Sequence, residues 1–141
     1  MNKKILEQCL LIAKENNAPN LHPQWLYYKH YSFIIQNNEI IDWGTNRKGS
    51  AITILGYPNY SKIHSEFDAF RKAKGLLKKN KKFEIINIRL SKTSTLKNSR
   101  PCKCCSSYLH NMGCHEVWYT TINGFCKLKL NQYMKNLIKE I

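Results

Sequence analysis

The chain has 141 residues, 43% hydrophobic and 23% charged, enough for one ordinary domain (1–141) that buries a core without disulfide staples. No run approaches the roughly 20 consecutive apolar residues of a membrane-spanning helix. The start MNKKILEQCLLIAKENN is charged and periodic rather than leader-like, so no membrane partner and a cytoplasmic location, in its own cell or a host's, are expected. The formal net charge of +14, from 23 basic and 9 acidic residues, suits a polyanion or a small phosphorylated partner. Carried by lysine rather than arginine, it is equally the mark of a Lys-, Asn- and Ile-rich composition.

In chain order, residues 1–17 predict a helix. Ile5, Cys9, Ile12 and Ala13 recur at helical spacing, and Leu6 and Leu10 widen the stripe. NNAPNLHP breaks it. WLYYKHYSFIIQ and EIIDWGT, rich in aromatic and β-branched residues and joined by Asn-Asn, predict a β-hairpin. NRKGSAITILGYPNYSK predicts an irregular loop with one short strand-like run. A second helix is expected from residue 64 to about residue 80, burying Phe67, Phe70 and Ala73 to Leu77 and ending at KKNKK. FEIINIRL predicts a strand covered on both faces, and SKTSTLKNSRP a polar loop. CKCCSSYLHNMG predicts a short helix closed by Gly113. HEVWYTTI and FCKLKL predict a hairpin across Asn123-Gly124, with at least one of Trp118 and Tyr119 in the core. NQYMKNLIKEI predicts a closing helix. The order is α-β-β-α-β-α-β-β-α in three layers, without repeats or linkers.

Six cysteines without a secretory leader argue against disulfides, and Cys102, Cys104 and Cys105 crowd as ligands or thiols would. Cys9 and Cys126 fall in apolar patterns and are expected in the core. Cys102 and Cys105 follow Pro101 at a helix start, where backbone N–H groups favour thiolate. Zinc takes such ligands, and a catalytic zinc keeps three protein ligands and an open position. His64, at the other helix start, supplies the third if the two helices bring their N-termini together over the same sheet edge, and Glu66 then falls beside the metal without being needed as a ligand.

His64-x-Glu66 followed by Pro101-Cys102-x-x-Cys105 resembles the two-part signature of the zinc-dependent cytidine and deoxycytidylate deaminase superfamily. The resemblance spans most of the chain. It implies an α/β fold with a central five-stranded mixed sheet between helices, and one zinc ion (Zn2+) held by His64, Cys102 and Cys105. Glu66 then acts as the catalytic proton shuttle of a hydrolytic deamination. It further implies that Asn46 contacts the sugar or ring, and that backbone N–H groups near Ser65 and Cys102 hold the pyrimidine carbonyl. Ser65 stands where family members often have alanine. Cys104 is read as a bystander, with its exchange for Cys105 as ligand the alternative, and Tyr57 and Tyr60 as candidates to stack on the base or to pack their loop.

The short hairpin at Asn123-Gly124 resembles the free-nucleoside branch, whose last two strands are antiparallel, whereas a zinc histidine resembles the deoxycytidylate and tRNA-editing branch. The expected substrate is a small pyrimidine nucleoside or nucleotide, with cytosine or adenine in single-stranded DNA or RNA as the alternative. Family members often complete their pockets across subunits, so a homo-oligomer fits the resemblance. A non-enzymatic module with a structural zinc is the third reading, and Glu66 argues against it.

Overall fold

The computed structural model describes residues 2–17, 28–48 and 62–131; for Tyr28, Arg47, Lys48, Lys62, Ile63 and Cys104 it describes the backbone alone. Helix α1 (Lys3–Glu15) starts at Asn2, whose Oδ1 accepts from Lys4 N at 2.9 Å, satisfying one of the first-turn donors. Its buried residues Ile5, Cys9 and Ala13 lie one turn apart on one face. Burial pushes the Cys9 thiol pKa up to about 12, as befits a small core residue.

Strands β1 (Tyr28–Gln36) and β2 (Glu39–Thr45) form the expected hairpin. Asn37 and Asn38 turn it with φ of 57° and 59°, the left-handed pair that matches strand twist in a two-residue loop and that Asn tolerates. The stretch expected to be irregular begins and ends on a small ladder, β3 (Arg47–Lys48) against β4 (Lys62–Ile63).

Helix α2 (Ser65–Ala73) is shorter than its periodicity predicts. Lys74 caps it, Gly75 follows, and Leu76 is 64% exposed. With one apolar face satisfied by Ala73, nothing offsets continuing through Gly75 into the lysine run.

Strands β5 (Phe83–Ser91), β6 (Leu96–Lys97), β7 (Cys114–Thr121) and β8 (Gly124–Lys129) and helix α3 (Lys103–Asn111) complete the described elements. The sheet order is β2-β1-β5-β7-β8, with β6 paired to β5 off this path. Among the described strands, β5 and β7 alone run parallel; β7 and β8 are antiparallel, Thr121 opposite Gly124, as the Asn-Gly turn predicts. Gly113 leaves α3 at φ 104°, the left-handed exit expected of it.

The sheet is covered on both sides. Ile5, Cys9 and Ala13 pack with Tyr31, Phe33, Ile35, Ile86, Ile88 and Leu90 on one face. Ile34, Ile85, Val117 and Leu130 meet Ala69, Phe70 and Ala73 of α2 and Leu109 of α3 on the other. The alternation along β1 and β5 is the period of two that a pleated strand imposes. The mixed α/β sheet between helices expected from the resemblance is therefore present, with β6 as an addition.

Several expectations need correction or placement. Cys126 is exposed, not core, because β8 is an edge strand whose outward residues meet solvent. Trp118 is partly buried against the α1-side cluster. Of the closing helix expected at residues 131–141, the start at Asn131 is helical and residues 132–141 lie outside the described residues, as do Tyr57 and Tyr60 and the side chain of Cys104. Among the described residues, no helix is long and apolar enough to cross a membrane.

Candidate active site

Strands β5 and β7 pair as far as Asn87 and Tyr119 and then part. Ser99 fills the gap: its N donates to Thr120 O at 2.9 Å, and its Oγ donates to Asn87 O at 2.8 Å and accepts from Thr120 N at 2.7 Å. The chain leaves this wedge at Pro101 and enters α3 with Cys102 as its N-cap. The crevice at the carboxyl ends of diverging parallel strands is where open α/β sheets place ligands.

Helix α2 opens at the same crevice. His64 is its N-cap in extended conformation, and Ser65 and Glu66 form its first turn. The starts of α2 and α3 are held together by aromatic contacts: Tyr108 of α3 stands edge-on to Phe67 and Phe70 of α2, with centroids 6.1 and 5.9 Å apart. Phe70 also stacks on Phe83 at 5.6 Å.

The consequence is a cluster drawn from two helix N-termini. His64 Nδ1 lies 3.3 Å from Cys105 Sγ and 3.8 Å from Cys102 Sγ, and all three donor atoms lie within 4.8 Å of one another. Cys105 is 1% exposed, and its N–H points at Cys102 Sγ at 3.3 Å, a contact that favours thiolate. Zinc–sulfur and zinc–nitrogen bonds of about 2.3 and 2.1 Å place tetrahedral S···N pairs roughly 3.6 Å apart. The observed separations bracket that value, and two thiols with one imidazole are the soft donors zinc takes. The residues fit the metal and leave one of its four positions to a ligand.

Glu66 sits beside the cluster at 6% exposure. Burial pushes its carboxyl pKa above the ordinary value, Cys102 adds to this, and His64 opposes it. Its Oε1 accepts from Asn87 Nδ2 at 2.9 Å. A carboxyl whose charged form burial disfavours is a readier proton acceptor than an exposed one, as a shuttle group must be.

Asn46 reaches the same region by backbone pairing. Its neighbour Arg47 pairs with Ile63, which precedes His64. Asn46 Oδ1 accepts from His30 N at 2.9 Å.

The segment before Asn46 is seated hard on α2. Thr45 N donates to Asp68 Oδ2 at 3.1 Å, and Arg71 and Lys72 pair with the 1%-exposed Asp68 at 3.2 and 3.4 Å. A Cβ on Gly44 would lie 2.4 Å from Ala69 N, so β2 and α2 touch backbone to backbone.

No family model matches this chain, and no curated protein sequence matches it. Solved structures do. The cytidine deaminase of Burkholderia pseudomallei aligns over 94% of this chain and 95% of its own at TM-score 0.62 and 14% identity. The dCMP deaminase of the cyanophage S-TIM5, in complex with dCMP and dUMP, aligns over 83% and 81% at TM-score 0.53 and 20% identity. The cytidine deaminase of Mycobacterium leprae aligns over 92% and 96% at TM-score 0.56 and 11% identity.

The chain has the cytidine deaminase-like fold.

Within this cytidine deaminase-like fold, the structure brings His64, Ser65, Glu66, Cys102 and Cys105 together, with Asn46 beside them. Sequence reasoning missed Ser32, Asn87 and Asp68. The signal was present for two of them: Ser32 and Asn87 are polar residues flanked by large apolar ones in β1 and β5, and the fold sets them directly opposite each other. A buried polar residue in such a place needs a partner.

Proposed function

We propose that the chain is a zinc-dependent hydrolytic deaminase that converts the cytosine ring of a free nucleoside or nucleotide to uracil and releases ammonia. The observation that carries this reading is the buried Glu66 carboxylate beside a three-donor cluster, His64, Cys102 and Cys105, within a cytidine deaminase-like fold. A purely structural zinc site would fill its fourth position with a protein ligand and would have no use for a buried base next to it.

His64 Nδ1, Cys102 Sγ and Cys105 Sγ would hold zinc, which when bound lowers the pKa of a water ligand toward neutrality. Glu66 accepts a proton from the attacking water and delivers it to the ring nitrogen adjacent to the carbon that bears the amine. The water oxygen forms the new bond to that carbon, giving a tetrahedral adduct. Glu66 then takes the remaining proton from the adduct's hydroxyl and passes it to the exocyclic nitrogen, the carbon–nitrogen bond breaks, and ammonia leaves as the carbonyl forms. Backbone N–H groups at Ser65 and Cys102, at the starts of α2 and α3, would receive the pyrimidine carbonyl. Asn46, whose Oδ1 is taken by His30 N, would donate through Nδ2 to the sugar or the ring.

Two features favour a small substrate. The antiparallel β7–β8 pair suits the free-nucleoside branch, and the B. pseudomallei and M. leprae structures, which share nearly the whole fold, are cytidine deaminases. The charge of +14 favours polynucleotides and equally draws a single phosphate. The test is one incubation of the zinc-loaded chain with cytidine, deoxycytidine, their monophosphates, adenosine and mixed-sequence single-stranded DNA and RNA. Mass spectrometry reads the one-dalton amine-to-carbonyl gain. Conversion of free pyrimidines supports the reading, conversion only within the oligonucleotides replaces it with a polynucleotide editor, and conversion of nothing refutes it.

A further inference from the structure

A directed chain of hydrogen bonds runs beneath the cluster. Ser65 Oγ and Ser32 Oγ are 2.7 Å apart, Ser32 Oγ donates to Asn87 Oδ1 at 2.6 Å, and Asn87 Nδ2 donates to Glu66 Oε1 at 2.9 Å and to Ser99 O at 3.3 Å. Ser32, Ser65, Asn87 and Glu66 are each 6% exposed or less.

The direction of every bond is determined. Glu66 Oε1 and Ser99 O are acceptors, so the Asn87 amide must turn its NH2 toward both; flipped, it would set oxygen against oxygen at each contact. Asn87 Oδ1 then faces Ser32, which must donate its hydroxyl proton there. Ser32 therefore accepts from Ser65, and Ser65 donates. The only orientation that satisfies all four residues is the one that presents an N–H to the carboxylate.

We propose that Asn87, fixed by Ser32, is a positioning residue that sets the rotation of the Glu66 carboxylate. The terminal torsion of a glutamate is broad and two-fold, so a shuttle carboxylate left to itself would present either oxygen at any of many angles. Asn87 holds one oxygen on the sheet side, while the carboxylate also accepts from the Glu66 backbone N–H and the Cys105 thiol. The preference for small, apolar residues at inward strand positions is overridden here for this purpose. Ser65, where the resemblance expects alanine, belongs to the same device: its hydroxyl completes the chain that orients Asn87. The role in turnover rests on the deaminase reading above; the hydrogen bond itself does not.

The test uses the zinc-loaded full chain as wild type, Asn87→Leu, and the double variant Ser32→Ala with Asn87→Leu, which removes acceptor and donor together should the single variant fold poorly. Zinc content, kcat and KM are measured on the pyrimidine that the wild type converts. Loss of an orienting partner lowers kcat by about 10–100-fold, with KM within about threefold and zinc content unchanged. A merely structural role would change zinc content and KM together with kcat. A kcat within about twofold of wild type overturns the proposal.

A second readout is independent of substrate. With 15N-labelled asparagine, the Asn87 side-chain amide should show one downfield, slowly exchanging proton that moves in Glu66→Ala. An unchanged amide signal in Glu66→Ala overturns the proposal. If the wild type converts no pyrimidine, the deaminase reading fails in that assay, and the amide spectrum alone decides the hydrogen bond.

Discussion

Replacing Gly44 by alanine should cost far more than its single methyl group suggests. The added carbon would lie 2.4 Å from Ala69 N, 2.6 Å from Asp68 Oδ2 and 2.8 Å from Asp68 C. Two of these atoms are helix backbone and cannot step aside, so β2 must lift from α2. Overpacking of this kind costs about 1–3 kcal/mol. Lifting β2 also withdraws Thr45 N from the buried Asp68 carboxylate, and a hydrogen bond to a charged group is worth about 1.5–3 kcal/mol. The sum, about 2.5–6 kcal/mol, is a large share of the roughly 5–15 kcal/mol that holds a domain together. Urea unfolding should report it as a lower midpoint at unchanged slope. Gly75→Ala is the control, since a Cβ there meets nothing within 4 Å; it should be neutral or stabilise by up to about 1 kcal/mol. A Gly44→Ala loss below about 0.5 kcal/mol, the scale of an ordinary surface change, would refute the backbone contact between β2 and α2.

Three further outcomes are expected. Phe70→Ala, which removes the ring shared by Phe83 and Tyr108, should cost about 3–5 kcal/mol by thermal or urea unfolding and weaken zinc retention, because the two ligand-bearing helices lose their common packing. Burial, and next the Glu116 carboxylate, raise the Glu84 carboxyl above its ordinary value, so the folded chain holds that proton more tightly than the unfolded chain. That stabilising contribution is complete below the ordinary carboxylate pKa of about 4.3 and disappears as pH rises through the raised value; Glu84→Gln should therefore stabilise the protein at pH 7 relative to wild type and lose that advantage in acid. Cys105→Ser and His64→Ala should each bind less than one zinc per chain after dialysis against a weak chelator, while Cys126→Ser, altering an exposed edge-strand residue, should bind one.

Much of the fold and of the site is legible in the amino-acid sequence. The hairpin turns at Asn37-Asn38 and Asn123-Gly124, the helical stripe of Ile5, Cys9 and Ala13, and the spacing of His64, Glu66, Cys102 and Cys105 are local signals, and local chemistry decides them. The exceptions depend on tertiary neighbours. Helix α2 stops at Ala73 because its apolar face is already satisfied there, which periodicity alone does not reveal. Cys126 reads as core by its apolar flanks and is exposed because β8 lies at the edge of the described sheet. Strand β6 forms because β5 and β7 diverge, a property of pairing and not of the Leu96-Lys97 dipeptide. The polar chain from Ser65 to Glu66 joins residues from three elements, and only the register of β1 on β5 makes Ser32 and Asn87 partners.

The central claim is that Glu66 moves protons and does not hold the metal. Glu66→Gln keeps the shape and removes the proton-accepting charge. Zinc stoichiometry and conversion of cytidine or its monophosphate, measured side by side on wild type and Glu66→Gln, test it directly. Equal zinc with turnover lowered by at least about 100-fold is the predicted result; equal turnover, or loss of zinc along with turnover, would contradict it.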